Sequence, residues 1–454
     1  MGSISQTLAG SVAGLRYDDL PRDVVTAAKR HLLDAVGVAV AAADTGVCDP
    51  IIEMIRSWSG AREASVLGYD LGAPAPMAAL ANGALAHALE YDDTHVASVV
   101  SPSAVIMPAA FAVAEEAGTD GRALLTAAVA GYEVAARIGG AAPGRFQARG
   151  LHTTGVAGPF AAAATAARLW GLSADETAAA FGLAGDRSGG TLASLGQGGE
   201  AEPMHTAWAA HDGVLAADLA RRGVAGATTI FEGPRGLFDA LLAGEESDLE
   251  HLTEGLGERW ETTRIALKPY PACHFLHAHM DAAARLKLKW ADIEEIICSL
   301  PPAAVDIVAE PRAARLHPSS LHAAQFSLPF AVAAVVVGGR EGVELFGDEA
   351  RADRRVLSLA ERVVGVPDPT LPFPHAYGGR LTVHTRSGRT LTIDEEINRG
   401  HPDRPLSEQE LADKFVANVK GRFGVKTARK LLTRLRCLDE VRDVEQLMAS
   451  FRLG

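Results

Sequence analysis

Apolar residues fill the first 264 positions in long stretches rather than in alternation. Residues 21–43, 75–89, 103–117 and 121–138 are each dominated by Ala, Leu and Val, punctuated by Gly and Asp. Runs of this length exceed an ordinary strand and consist of strong helix formers, so they predict helices. Small residues crowd both faces. Ala and Gly at close spacing let helix axes approach, and a helix that is apolar all round belongs inside a large helical body.

The pattern changes near Lys268-Pro269-Tyr270-Pro271 and stays different to about Pro402. Residues 294–300 (EEIICSL) and 362–366 (RVVGV) read as strands, and the alternating runs 380–385 and 390–394, joined across Ser387-Gly388, read as a hairpin. Helices at 275–286 and 320–337 interrupt them. After Pro405, Ser407 with Glu410 three residues on forms a capping box that opens a helical run towards Phe451. The expected fold is mainly α: residues 1–266 and 402–454 make a large all-helical domain, and residues 267–401 form an inserted α+β lid domain. No low-complexity linker separates them, so the cleft between them is the first place to seek a small-molecule site.

The length of 454 residues suits one large and one smaller unit, and 48% hydrophobic against 22% charged residues supplies a sizeable core. A formal charge of -13 has the wrong sign for tracking phosphates, so no nucleic-acid partner is expected. The longest apolar runs, 35–43 and 330–338, fall short of the roughly 20 residues of a membrane span. No membrane partner is expected. The opening MGSISQ fits neither a signal peptide nor the myristoylation pattern, because Gln6 stands where Ser or Thr is wanted, and a cytoplasmic location is expected. Cys48, Cys273, Cys298 and Cys437 are scattered without a CxxC pair, which predicts reduced thiols.

Two polar clusters could carry chemistry. The first is His87-Ala-Leu-Glu90-Tyr91-Asp92-Asp93-Thr94-His95, at the end of a long apolar helix. Its carboxylates and imidazoles offer proton donors and acceptors, and neighbouring carboxylates raise one another's pKa. The ordinary alternative is an acidic loop capping the next helix. The second is Lys268-Pro-Tyr270-Pro-Ala-Cys273-His274-Phe-Leu-His277-Ala-His279-Met-Asp281, on the domain crossover. A helix starting near Cys273 puts His274 and His277 on one face and turns His279 elsewhere. Imidazole suits acid and base roles near neutral pH, and Lys268 beside it can hold a carboxylate. A solvated His-rich helix start is the alternative. His152 and His205 each follow a loop-like stretch and precede an Ala-rich helix, where a capping or core role is the plainer reading. No GxGxxG turn after a strand, GxxxxGK cradle, GxSxG elbow or HExxH run is present, so no cofactor and no metal is expected.

Several segments together resemble the MmgE/PrpD family: NGALAHALEYDDT (82–94), GLHTTGVAGPF (150–160), MHTAWAAHDG (204–213), KPYPACHFLH (268–277), AQFSLPF (324–330) and Lys414-Phe415. The resemblance implies a homodimer with a cofactor-free active site between helical domain and lid. It places Asp93 and its neighbours, His152, Lys268 and His277 in the pocket, with Lys268, His277, His152 and Asp93 as catalytic residues. Asp92, Thr94, His95, Glu90, His205, Tyr270 and His274 would contact substrate, as would Ser101, Glu202 and Phe330 at the family's other pocket positions. The implied chemistry moves a proton next to a carboxylate.

The chain departs from the family pattern at three places. Ser101-Pro102-Ser103 stands where many members have His-Pro-Ser, Glu202 where a Lys is common, and Phe330 where a Tyr is frequent. A Lys-to-carboxylate change shifts the site by two charges, each worth about 4 kcal/mol at 4 Å and an effective dielectric of about 20. The expected substrate is therefore a small organic acid other than a tricarboxylate, or one whose cationic group meets Glu202, with Arg187 a replacement anion contact. The expected activity is a dehydratase-like lyase, with an isomerase using the same carbanion or enolate next, and a non-catalytic protein of the same fold as the third reading.

Overall fold

The computed structural model describes residues 2–58, 60–193, 201–339, 342–373 and 375–453. The Ala-rich stretches become the helices Arg22–Thr45, Ala75–His87, Ser103–Glu116, Gly121–Gly140, Thr153–Trp170 and Pro203–Arg221. Local chemistry sets their ends. Asp120 caps Gly121–Gly140 by accepting from the Ala123 N–H, and proline occupies the first turn of Ala75–His87 and of Pro203–Arg221, where its missing N–H costs no helical bond.

Close approach of these helices depends on hydrogen in place of a side chain. A Cβ added at Gly83 would stand 3.0 Å from the Ala207 Cα, and one at Gly213 only 2.3 Å from the Pro159 carbonyl oxygen. Pro203–Arg221 can therefore lie against Ala75–His87 on one side and Thr153–Trp170 on the other. That contact brings His205 and Glu202 towards the end of Ala75–His87.

One apolar core gathers residues from Leu8 to Leu267 and again from Leu406 to Phe451. A second runs from Tyr270 to Val383. The returning helix Glu408–Arg436 opens on the Ser407–Glu410 capping box and packs along Arg22–Thr45. The second core supports a sheet in the order Val363–Pro367, Ile293–Leu300, Gly379–Thr385, Thr390–Glu395. Its first pairing is parallel and the others antiparallel, the last being the hairpin through Gly388. The fold is mainly α with a small α+β part.

Two helices in this part are shorter than their apolar runs. The 320–337 run divides into Leu321–Gln325 and Leu328–Gly338, because Ser327 caps Phe330 and Pro329 removes a backbone donor. The 275–286 run begins as a 3₁₀ turn, His274–Leu276, before the helix His277–Ala284, since the Cys273 N–H is taken by the Gln325 carbonyl. No single helix among the described residues is long and apolar enough to cross a membrane.

Candidate active site

The acidic segment and the domain crossover meet at Lys268. Glu90, just past the helix Ala75–His87, adopts φ +52°, a conformation that costs a non-glycine residue about 1–3 kcal/mol. In this conformation both its carbonyl and its carboxylate lie within reach of one ammonium: Lys268 Nζ is 3.1 Å from the Glu90 carbonyl oxygen and 3.2 Å from Oε2. Asp92 Oδ1 lies 3.9 Å away. Burial of Lys268 favours the neutral amine, but Glu90 and Asp92 outweigh it and hold its pKa above the ordinary value. Lys268 is a fixed cation rather than a base.

A second buried ammonium clips the segments together. Lys414 Nζ bonds Asp34 Oδ2 at 2.8 Å, the Tyr91 carbonyl at 3.1 Å and the Lys268 carbonyl at 2.8 Å. It also stands 3.8 Å from the centre of the Tyr91 ring. Gln325 adds a tie from the smaller part, donating to the Leu89 carbonyl at 2.6 Å.

Asp92 faces His87 on its other side, with Nδ1 and Oδ2 2.8 Å apart. Burial pushes the His87 pKa down, yet Asp92 and the nearby Glu90 and Glu202 raise it to about 9; for Asp92 burial raises the pKa, but His87 and Lys268 together hold it below the carboxylate range. His87 stacks on His152 with ring centroids 5.6 Å apart, and His152 Nδ1 lies 3.2 Å from His205 Nδ1. His152 begins the helix Thr153–Trp170 and His205 lies in the first turn of Pro203–Arg221. Burial, then the charge of His87, keeps both below the ordinary histidine pKa. Glu202, the N-cap of the same helix, completes the wall: burial and the adjacent Glu90 raise its pKa, and His322 Nε2 lies 4.0 Å from Oε2.

The crossover histidines take distinct places. His277 Nε2 is 3.0 Å from the Ala272 carbonyl, so Nε2 carries the proton and Nδ1 the lone pair. That Nδ1 is buried with no hydrogen-bond partner among the described residues. Burial, then His274 and Lys268, keep the ring neutral. Tyr270 meets it edge-on at 5.6 Å while donating to Asp281 and accepting from Arg399. His274 lies 5.0 Å from His277 and stacks on Tyr377. His279 turns away, as the spacing predicts, and bonds the Ser299 carbonyl of the sheet.

Other expected site residues stand apart from this cluster. Asp93 points to the opposite side from Asp92: Ser103 N–H donates to Oδ1 at 3.0 Å, the Ser103 hydroxyl bonds its other oxygen and also Tyr132, and His31 lies 3.9 Å off. Burial pushes the Asp93 pKa up to about 8, with Asp92 a lesser contributor, so the two neighbours diverge rather than act as a coupled pair. Thr94 and His95 pair as a short strand with Ala266 and Ile265, and the His95 ring is engaged by Ser98 and Glu261. Ser101 is half-buried, and its N–H donates to Thr154 Oγ1. Arg187 is exposed and pairs with Asp212, so it is no anion contact of the cluster. Phe330 lies in the core of the smaller part, against Phe346. A cleft of about 690 Å³ lies beside His31, Arg22 and Leu406, on the Asp93 side rather than at Lys268.

Sequence reasoning named His87 and Cys273 within the two polar clusters without giving either a role, and left out His322; the Cys273 thiol is pushed up to about 12 by burial and then by Glu90. His87 had a signal, since a helix end turns it towards a carboxylate a few residues on. His322 had none.

The arrangement defines a class: a mainly helical protein with a small α+β part, whose buried centre sets the Lys268 ammonium and the Asp92-paired His87 against carboxylates and further imidazoles. A family model of the MmgE/PrpD N-terminal domain matches residues 6–250 and one of the C-terminal domain matches residues 270–440. The chain belongs to the MmgE/PrpD family. Among its relatives, the cis-aconitate decarboxylase-like protein oryM of Aspergillus oryzae is 28% identical, over 99% of this chain and 97% of its own length. The cis-aconitate decarboxylases of Mus musculus and Homo sapiens are 28% and 27% identical, each over 98% of this chain and over 92% and 94% of their own lengths.

Proposed function

We propose that this protein is a lyase that moves a proton next to a carboxylate of a small organic acid. The observation that carries the reading is the buried contact of Lys268 with Glu90, in a cluster shared with neutral imidazoles. Lys268 holds the substrate carboxylate and stabilises the charge that develops as the adjacent proton leaves. His277, with its lone pair on Nδ1, takes that proton; Tyr270 positions the ring. Side chains supply this transfer without an organic cofactor. The cluster is nine-tenths buried, so the smaller part acts as a lid that parts from the helical body to admit substrate.

The names of the relatives support a decarboxylase or related lyase, and Glu202, which supplies no cation to the wall, supports a substrate with fewer carboxylates than cis-aconitate. Incubation of the purified chain with mono-, di- and tricarboxylates in deuterated water tests both points. Loss of water or carbon dioxide from a mono- or dicarboxylate is expected. Efficient turnover of cis-aconitate, citrate or 2-methylcitrate would overturn the substrate class, and deuterium exchange without elimination would make the enzyme an isomerase.

A further inference from the structure

Three groups in the buried cluster converge without being used by the proton transfer. A ring nitrogen of His87, one of His152 and a carboxylate oxygen of Glu202 all lie within 4.8 Å of one another. His87 is 4% exposed and Glu202 6% exposed, yet His87 Nε2 and Glu202 Oε2 have no hydrogen-bond partner among the described residues. Leaving such buried atoms unsatisfied costs about 1–3 kcal/mol each, which a ligand between them would recover. Two imidazoles and one carboxylate form a donor set common to divalent transition-metal sites.

The groups behind these ligands are arranged as a metal site requires. The Asp92 carboxylate bonds His87 Nδ1 at 2.8 Å, so Nε2 is the ring atom left to face an ion and gives up its proton as the ion binds, and His205 bonds His152 Nδ1 at 3.2 Å. A carboxylate behind a ligating histidine fixes its tautomer and raises its basicity.

We propose that His87, His152 and Glu202 bind one divalent transition-metal ion of the zinc type. Ligand atoms at about 2.0–2.2 Å from such an ion sit closer together than here, so binding draws the Glu202 carboxylate inward. The resident ion replaces the positive charge that a lysine at position 202 would supply, and it departs from the cofactor-free expectation of the sequence. The site stands on its own residues; only the ion's role, meeting a substrate carboxylate beside Lys268, rests on the proposed reaction.

Cobalt(II) alone is the probe, because its visible ligand-field bands report nitrogen and oxygen coordination without any substrate. The full chain, stripped with a chelator and dialysed, is titrated with Co²⁺ and then with Zn²⁺. One saturable equivalent with visible bands, displaced by Zn²⁺, is expected. Glu202→Gln and His87→Gln should each weaken binding at least tenfold with unchanged circular dichroism. If His87→Gln fails to fold, the near-isosteric Glu202→Gln decides alone. Absence of a stoichiometric site, several weak sites only, or equal binding by Glu202→Gln would overturn the proposal, whatever reaction the enzyme performs.

Discussion

Lys414 donates a 2.8 Å hydrogen bond to the backbone carbonyl of Lys268, the residue whose own ammonium meets Glu90. Two lysines 146 positions apart are thus stacked in one relay, one holding the main chain and the other facing the cluster. Because Lys414 also bonds Asp34 and the Tyr91 carbonyl, it sets the distance between the acidic segment and the crossover.

Removing that clip leaves a buried carboxylate and two carbonyls without their donor. Lys414→Met should destabilise the protein by about 3–5 kcal/mol in urea unfolding. Asp34→Asn in the same chain should recover part of the loss, and a double-mutant cycle measures how much.

Lys268 is the fixed charge of the centre. Lys268→Met should lower kcat/KM by at least about 10²-fold on whichever acid proves to be the substrate. Lys268→Arg should not restore it, since the planar guanidinium cannot replace a compact ammonium bonded to both the backbone carbonyl and the carboxylate of Glu90. Steady-state kinetics on the folded variants check both.

Glu202→Lys puts an ammonium where the wall has a carboxyl group. Affinity for citrate or cis-aconitate should rise by at least about tenfold, given interactions of about 4 kcal/mol per charge pair at 4 Å and an effective dielectric of about 20. Calorimetric titration of the two proteins with citrate measures it, and equal affinity would place the carboxylate outside the substrate path.

Asp93 gives a pH signature of its own. Burial raises its pKa in the folded chain to about 8 from an ordinary 3.8, so folding takes up a proton there. Its contribution is fully present below about pH 4 and is lost as pH rises through about 8. Asp93→Asn should therefore lose less stability than the parent between those limits, a difference read from thermal unfolding across the range.

Two residues outside the cluster serve as contrasts. Arg187→Ala should change stability by less than about 0.5 kcal/mol and leave kinetics unaltered, because the arginine is exposed and the buried Asp212 keeps its bond to His211. Phe330→Ala should cost about 3–5 kcal/mol through the cavity it leaves in the second core.

Helix positions were legible from local pattern because they follow from short-range chemistry: Ser407 and Glu410 form their capping box, and Asp120 caps its helix, using atoms three residues apart. The family, too, was legible, because its segments keep their order along the chain. Tertiary structure alone decided which polar residues meet. Asp92 and Asp93 are chain neighbours with the same carboxylate, yet one faces His87 and Lys268 and the other Ser103 and Tyr132. His322 reaches Glu202 across 120 residues, with no local signal to announce it. A backbone turn such as that at Glu90 sends successive side chains to opposite sides, and only the packing of distant helices determines what waits on each side.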